Sequence, residues 1–233
     1  MIRLLSLVPL WLATSAMAET GQPDTYDDLV NDEMAAAQGA FVGTVIAIEY
    51  RESDPATYGE TYPHTYVTWR VDHAFKGVRD RDTLTARFIG GPTSDGRRTL
   101  VVSELPLFDV GDHDIVFVAD NGVSGCPLDR CAAGRMRVVD GLVYTDDGQG
   151  VAITDETLTL TAPADLAAIR ENTIGGRVFR TSGDRGPSTE GAPRPASEAD
   201  VVALLDQVAR QYPATAPAPS VSTRTPFVVE MRP

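Results

Sequence analysis

Apolar and polar residues alternate with a period of two through much of the chain, and that period predicts strands. In FVGTVIAIEY (41–50), Thr44, Ile46, Ile48 and Tyr50 share one face. In YVTWRVDHAF (66–75), Val67, Trp69 and Val71 stand opposite Thr68, Arg70 and Asp72. DTLTARFI (82–89) sets Leu84, Ala86 and Phe88 against Thr83, Thr85 and Arg87. These are the patterns of half-buried strands. A short strand follows at RTLVVS (98–103), and DIVFVA (114–119) is apolar on both faces, as a central strand is. RMRVVDGLVYTDDG reads as two strands joined at Asp140-Gly141, a favoured two-residue hairpin turn, and VAITDETLTL adds one more.

The helical period comes late. PADLAAIREN (163–172) opens on a proline suited to a first helical turn. SEADVVALLDQVARQY (197–212) offers Ser197 as N-cap and an apolar stripe of Val201, Leu204, Leu205 and Val208. Turn signals recur at short intervals, which favours an antiparallel barrel or sandwich over alternating βα units. The fold class is therefore mostly β: a small antiparallel OB-like barrel with one or two C-terminal α-helices and a Pro-rich tail. Its parts are a signal peptide over 1–18, an N-terminal arm or short helix over 19–38, and a barrel domain with a short helix over 39–180. A linker over 181–197, a helix docked on the barrel over 198–212, and a flexible tail over 213–233 complete the chain.

Several short pieces carry a resemblance: Gly43-Thr44-Val45 in the first strand, Lys76-Gly77 at the end of the second, and Phe108 to Asp112 before the apolar strand. Over residues 40 to 145 the order of segments resembles secreted bacterial OB-like barrel proteins of unassigned function. It is also distantly similar to the netrin-like domain of the tissue inhibitors of metalloproteinases. The resemblance implies a barrel. Those inhibitors chelate the protease zinc through an N-terminal cysteine, whereas Glu19-Thr20 follows the expected cleavage site here, so no inhibitory residue carries over.

Composition changes the picture mainly by locating the protein. Arg3, a short apolar stretch and Ala16-Met17-Ala18 form a signal-peptide pattern, too short for the about 20 residues of a spanning helix. The expected location is the periplasm or the medium. The chain has formal charge −13, which disfavours nucleic acid and anionic membranes, since phosphate binding depends on Lys and Arg. No second apolar run predicts membrane insertion. Cys126 and Cys131 are expected to form a disulfide in an oxidising compartment; a metal site there lacks further soft ligands.

Candidate chemistry is sparse. His64, His73 and His113 have no partner at a recognisable catalytic spacing, and no nucleophile elbow or phosphate-cradling loop is present. The acids around Asp109, Asp112 and Asp114 and at Asp146-Asp147 read as turn chemistry rather than as calcium ligands. No cofactor, no metal ligand and no catalytic residue is assigned. The stretch FKGVRDRDTLTARFIGG contains the chain's only lysine, Lys76, and its arginines are offset locally by Asp80 and Asp82. The binding candidates are Tyr58, Tyr62, His64, Arg70, Arg87, Arg97 and Arg98, on the face and loops where five-stranded barrels of this type commonly hold ligands. A protein partner fits these residues better than a small molecule. The functional expectation is an exported, non-catalytic module that binds an envelope or extracellular protein. Two alternatives stay open: a secreted-peptidase inhibitor without cysteine chelation, and a hydrolytic enzyme using Asp112, Asp114 and Asp146.

Overall fold

The computed structural model describes residues 25–53, 61–79, 82–122, 124–163, 171–180 and 193–221. Eight antiparallel strands form its main sheet. These are β1 (Gly39–Glu52), β2 (Pro63–Lys76), β3 (Thr83–Ile89), β6 (His113–Val118), β7 (Arg135–Val139), β8 (Leu142–Thr145), β9 (Gln149–Thr154) and β10 (Thr157–Pro163). Their order is β10-β9-β8-β7-β6-β1-β2-β3. Two small hairpins are added, β4 (Gly91–Pro92) with β5 (Thr99–Leu100), and β11 (Glu171–Ile174) with β12 (Arg177–Arg180). Helix α1 (Tyr26–Ala36) precedes the sheet and α2 (Glu198–Ala209) follows it.

Because β1 and β6 are apolar on both faces, the sheet carries a core on each side. Ala40, Val42, Ile115 and Phe117 pack with α1 and α2 through Val30, Met34, Val201, Leu205 and Val208. Phe41, Val45, Val116 and Val118 point the other way, into a cluster centred on Trp69. There the Trp69 ring meets Phe108 edge-on at 5.2 Å and Phe41 at 6.1 Å. Burial of this order, about 2 kcal/mol for each large side chain, is the main force holding the sheet to its coverings.

Several elements depart from the sequence pattern. Ile46 is exposed because the pairing of β1 with β2 shifts register between Val45 and Ala47. That bulge changes the parity of the strand, so Ile48 reaches the same core as Phe41 and Val45. The run 98–103 pairs only at Thr99–Leu100. VAITDETLTL is two strands rather than one, turned at Asp155 and Glu156, which both take positive φ. The helix expected over 163–172 is not formed at its ends. Pro163 closes β10 while Glu171 and Asn172 open β11; residues 164–170 lie outside the described part.

No pairing joins β3 to β10 among the described residues, so the described strands form an open sheet and not the closed barrel expected. The free edge of β3 is covered by irregular chain instead. The Asn121 side chain accepts from Arg87 N at 3.2 Å and donates to Thr85 O at 2.8 Å. Val221 N donates to Thr85 O, Ser220 Oγ accepts from Thr85 N, and Ile89 N reaches Gly125 O. Part of the expected flexible tail is thereby docked: Ala218 is fully buried and its N–H donates to Gly77 O at 2.8 Å. Gly39 makes room for it, since a Cβ there would stand 2.6 Å from Ala218 Cβ. The signal peptide over 1–18 and most of the linker over 181–197 lie outside the described residues.

Ser197 caps α2 as expected, its Oγ accepting from Asp200 N, and Val201, Leu205 and Val208 are buried. The Cys126–Cys131 disulfide is formed, with Cα atoms 5.7 Å apart. Within the loop it closes, Leu128 bridges to Val118 and enters the core.

Candidate functional site

Four connections gather at one end of the sheet. Glu52 at the end of β1 accepts from Ser94 N in the β4–β5 hairpin at 2.9 Å. Ser53 N donates to Tyr62 O, and Gly90 N to Pro63 O, which ties the β1–β2 connection to the end of β3. The β11–β12 hairpin is held to the loop before β6, because Asp109 accepts from Thr173 N at 3.0 Å. A cleft opens between the 101–107 segment and β11, with an apolar half walled by Tyr50, Phe88, Leu100 and Ile174. Its polar half, about 170 Å³, is lined by Glu104, Arg137, Asp146 and Asn172. Val101 is 46% exposed and Tyr62 38% exposed at this end.

Beneath the polar half lies a buried charge network. Arg135 Nε donates to Asp114 Oδ1 at 2.9 Å, its Nη2 to Asp112 at 2.7 Å, and its Nη1 to Asp146 at 3.1 Å and Leu107 O at 2.6 Å. Trp69 Nε1 donates to the second oxygen of Asp114 at 3.2 Å, and Arg137 reaches Asp112 at 3.3 Å. The Arg135 guanidinium also lies 4.1 Å over the Phe108 ring. Burial works against the Arg135 charge, but Asp114, Asp146 and Asp112 outweigh it and hold its pKa above the ordinary value. Burial raises Asp114 and Asp146 against the pull of Arg135. Burial and the neighbouring Arg135 lower Arg137. Both Asp114 oxygens are committed to hydrogen bonds, and Arg135 binds all three carboxylates. The arrangement locks the strand ends together and is poorly suited to general acid or base work.

A second polar cluster sits on the other face of the sheet at nearly the same level, where His113 pairs with Thr44 beside the Asp114–Gly43 pair. Asp72 accepts from Arg70 Nε at 2.7 Å and from Thr44 Oγ1 at 2.6 Å. His113 lies 3.2 Å from Thr44 Oγ1 and 2.8 Å from Glu198 on α2. Burial would raise Asp72, but the hydrogen bonds from Arg70 and Thr44 dominate and hold it below the usual carboxylate range. With Thr44 directing its hydroxyl at Asp72, His113 is not placed to take that proton. His73, 3.0 Å from Asp206, makes a second contact between the sheet and α2.

Tyr62, His64, Arg97 and Arg98 belong to the loop end, and Arg87 borders it through the β2–β3 register. Arg70 does not join them. It pairs with Thr83, four register positions from the Tyr66–Arg87 pair, a separation of about 13 Å along the strand. Arg87 is also engaged, its Nη2 donating to Gly122 O at 2.8 Å. His64 is buried, and burial together with Arg87 pushes its pKa down. Tyr58 lies outside the described residues. The residues missed in sequence are Val101, Arg137, Asp146 as part of the cleft, and Asn172. ENTI-GG-RVFR did contain a hairpin signal at Gly175-Gly176 that would have brought Asn172 to this end. No family model, curated protein or solved structure matches this chain.

Proposed function

We propose that the protein is an exported, non-catalytic binding module that recognises an envelope or extracellular protein through the loop end of its sheet. The observation that carries this reading is the convergence there of the β1–β2 connection, the β4–β5 hairpin, the 101–107 segment and the β11–β12 hairpin. Loops fixed on a rigid sheet are the usual place for recognition. Tyr62, Arg97 and Arg98 supply the residue types favoured at interface centres, and Val101 an exposed apolar contact. Strands β1, β2, β3, β6 and β7 are read as the five of an OB-like barrel left open at β3, in keeping with the resemblance to secreted barrel proteins. Export accords with the Cys126–Cys131 disulfide, since such bonds persist in oxidising compartments. No helix among the described residues is long and apolar enough to cross a membrane.

The test is affinity capture from the periplasmic and extracellular fractions, comparing the native chain with Tyr62→Ala/Arg97→Ala/Arg98→Ala. The expected result is one protein retained stoichiometrically by the native chain and lost from the variant. Retention of no protein, or equal retention by both, contradicts the reading.

A further inference from the structure

The segment 213–217 runs as a strap from the end of α2 to Ala218, which is pinned to Gly77. Clefts of about 610 Å³ and 560 Å³ flank it, each within the roughly 300–1,000 Å³ range of small-molecule sites. Lys76 lines both. Its buried ammonium donates to Met34 O at 2.8 Å and Ala35 O at 3.0 Å, which leaves one of three N–H groups uncommitted by those bonds. Arg79 and Arg210 line the larger cleft beside the apolar Phe75, Val78 and Ala209. No Asp or Glu lines either cleft among the described residues. In a chain of formal charge −13, a recess with three cations and no acid in its lining is set apart from the rest of the surface.

We propose that the recess under the 213–217 strap is a binding site for a small organic anion with an apolar body, of the medium-chain carboxylate type. Arg79, Arg210 and the free N–H of Lys76 hold the charged group, and the prolines and aliphatic side chains of the strap and α2 cover the hydrocarbon. The site is separate from the loop end, so its fate does not depend on the partner proposed there.

The test is isothermal titration of the full chain with octanoate, using 1-octanol as the uncharged probe of similar shape. Arg79 and Arg210 are exposed, so Arg79→Gln/Arg210→Gln is expected to unfold at the native midpoint. Octanoate should bind the native chain about tenfold or more tightly than octanol, and the double variant should lose that advantage. Ala216→Trp, which fills the recess, should abolish binding of both probes. The proposal is overturned if octanoate gives no saturable heat, if the double variant binds it as the native chain does, or if Ala216→Trp leaves it unaffected.

Discussion

Two buried ionic residues show how differently charge is handled within this fold. Arg135 is fully enclosed but bonded to Asp112, Asp114 and Asp146, whereas both carboxylate oxygens of Glu33 are buried without a hydrogen-bond partner. Burial, reinforced by Asp129 and opposed by Arg130, raises Glu33 from 4.5 to about 9. The folded state therefore holds this proton more tightly than the unfolded chain does. The associated stability is fully present below pH 4.5 and is lost as pH rises towards 9. Glu33→Gln should remove that loss, raising stability at pH 8 by ~2 kcal/mol or more and flattening its pH dependence, as read by denaturant unfolding at several pH values. An unchanged pH profile would count against the unpaired carboxylate. Arg135→Met should do the opposite, leaving three acids without their shared cation and costing ~3–5 kcal/mol at pH 7. Neither role is legible in sequence. In RMRVV, Arg135 and Arg137 alternate with Met136 and Val138, and nothing in that pattern announces that the 101–112 loop covers the arginine side and buries both.

At the level of elements, the period-two runs of β1, β2 and β3, the apolar run of β6, the β7–β8 hairpin at Asp140-Gly141 and the capped stripe of α2 were readable because each follows from local patterning. What was not readable depends on partners distant in sequence. The bulge at Ile46 is imposed by the β2 register, and the β9–β10 turn places Asp155 and Glu156 at positive φ without a glycine to announce it. The edge of β3 is the clearest case. It is sealed by one side-chain amide, from Asn121, by Gly125 O and by residues 220–221, all remote in sequence from β3. An unsealed edge is a template for unwanted pairing. Asn121→Ala should leave Arg87 N without its acceptor, while Thr85 O keeps Val221 N, cost ~1–3 kcal/mol, and speed hydrogen exchange of the Arg87 amide well beyond that of Val116. Equal exchange in variant and native chains would mean the amide does not seal the edge.

For the whole molecule, both helices cover one face of the sheet, the Trp69 cluster fills the other, and the connections collect at one end. Of the candidate residues named from sequence, those described fall largely at that end, with Arg70 the exception; Tyr58 lies outside the described residues. Their neighbours Val101, Arg137 and Asn172 emerge only once the chain is folded. The central claim is that this end, rather than the sheet's other edge, meets a protein partner. Site-specific photo-cross-linking tests it most directly, with the reactive residue placed at Arg98 or, as control, at Leu160, which is 41% exposed on β10 at the opposite edge. The account predicts one cross-linked protein species from position 98 in the periplasmic or extracellular fraction and none from position 160. Cross-links from position 160 alone, or equally from both, would contradict it.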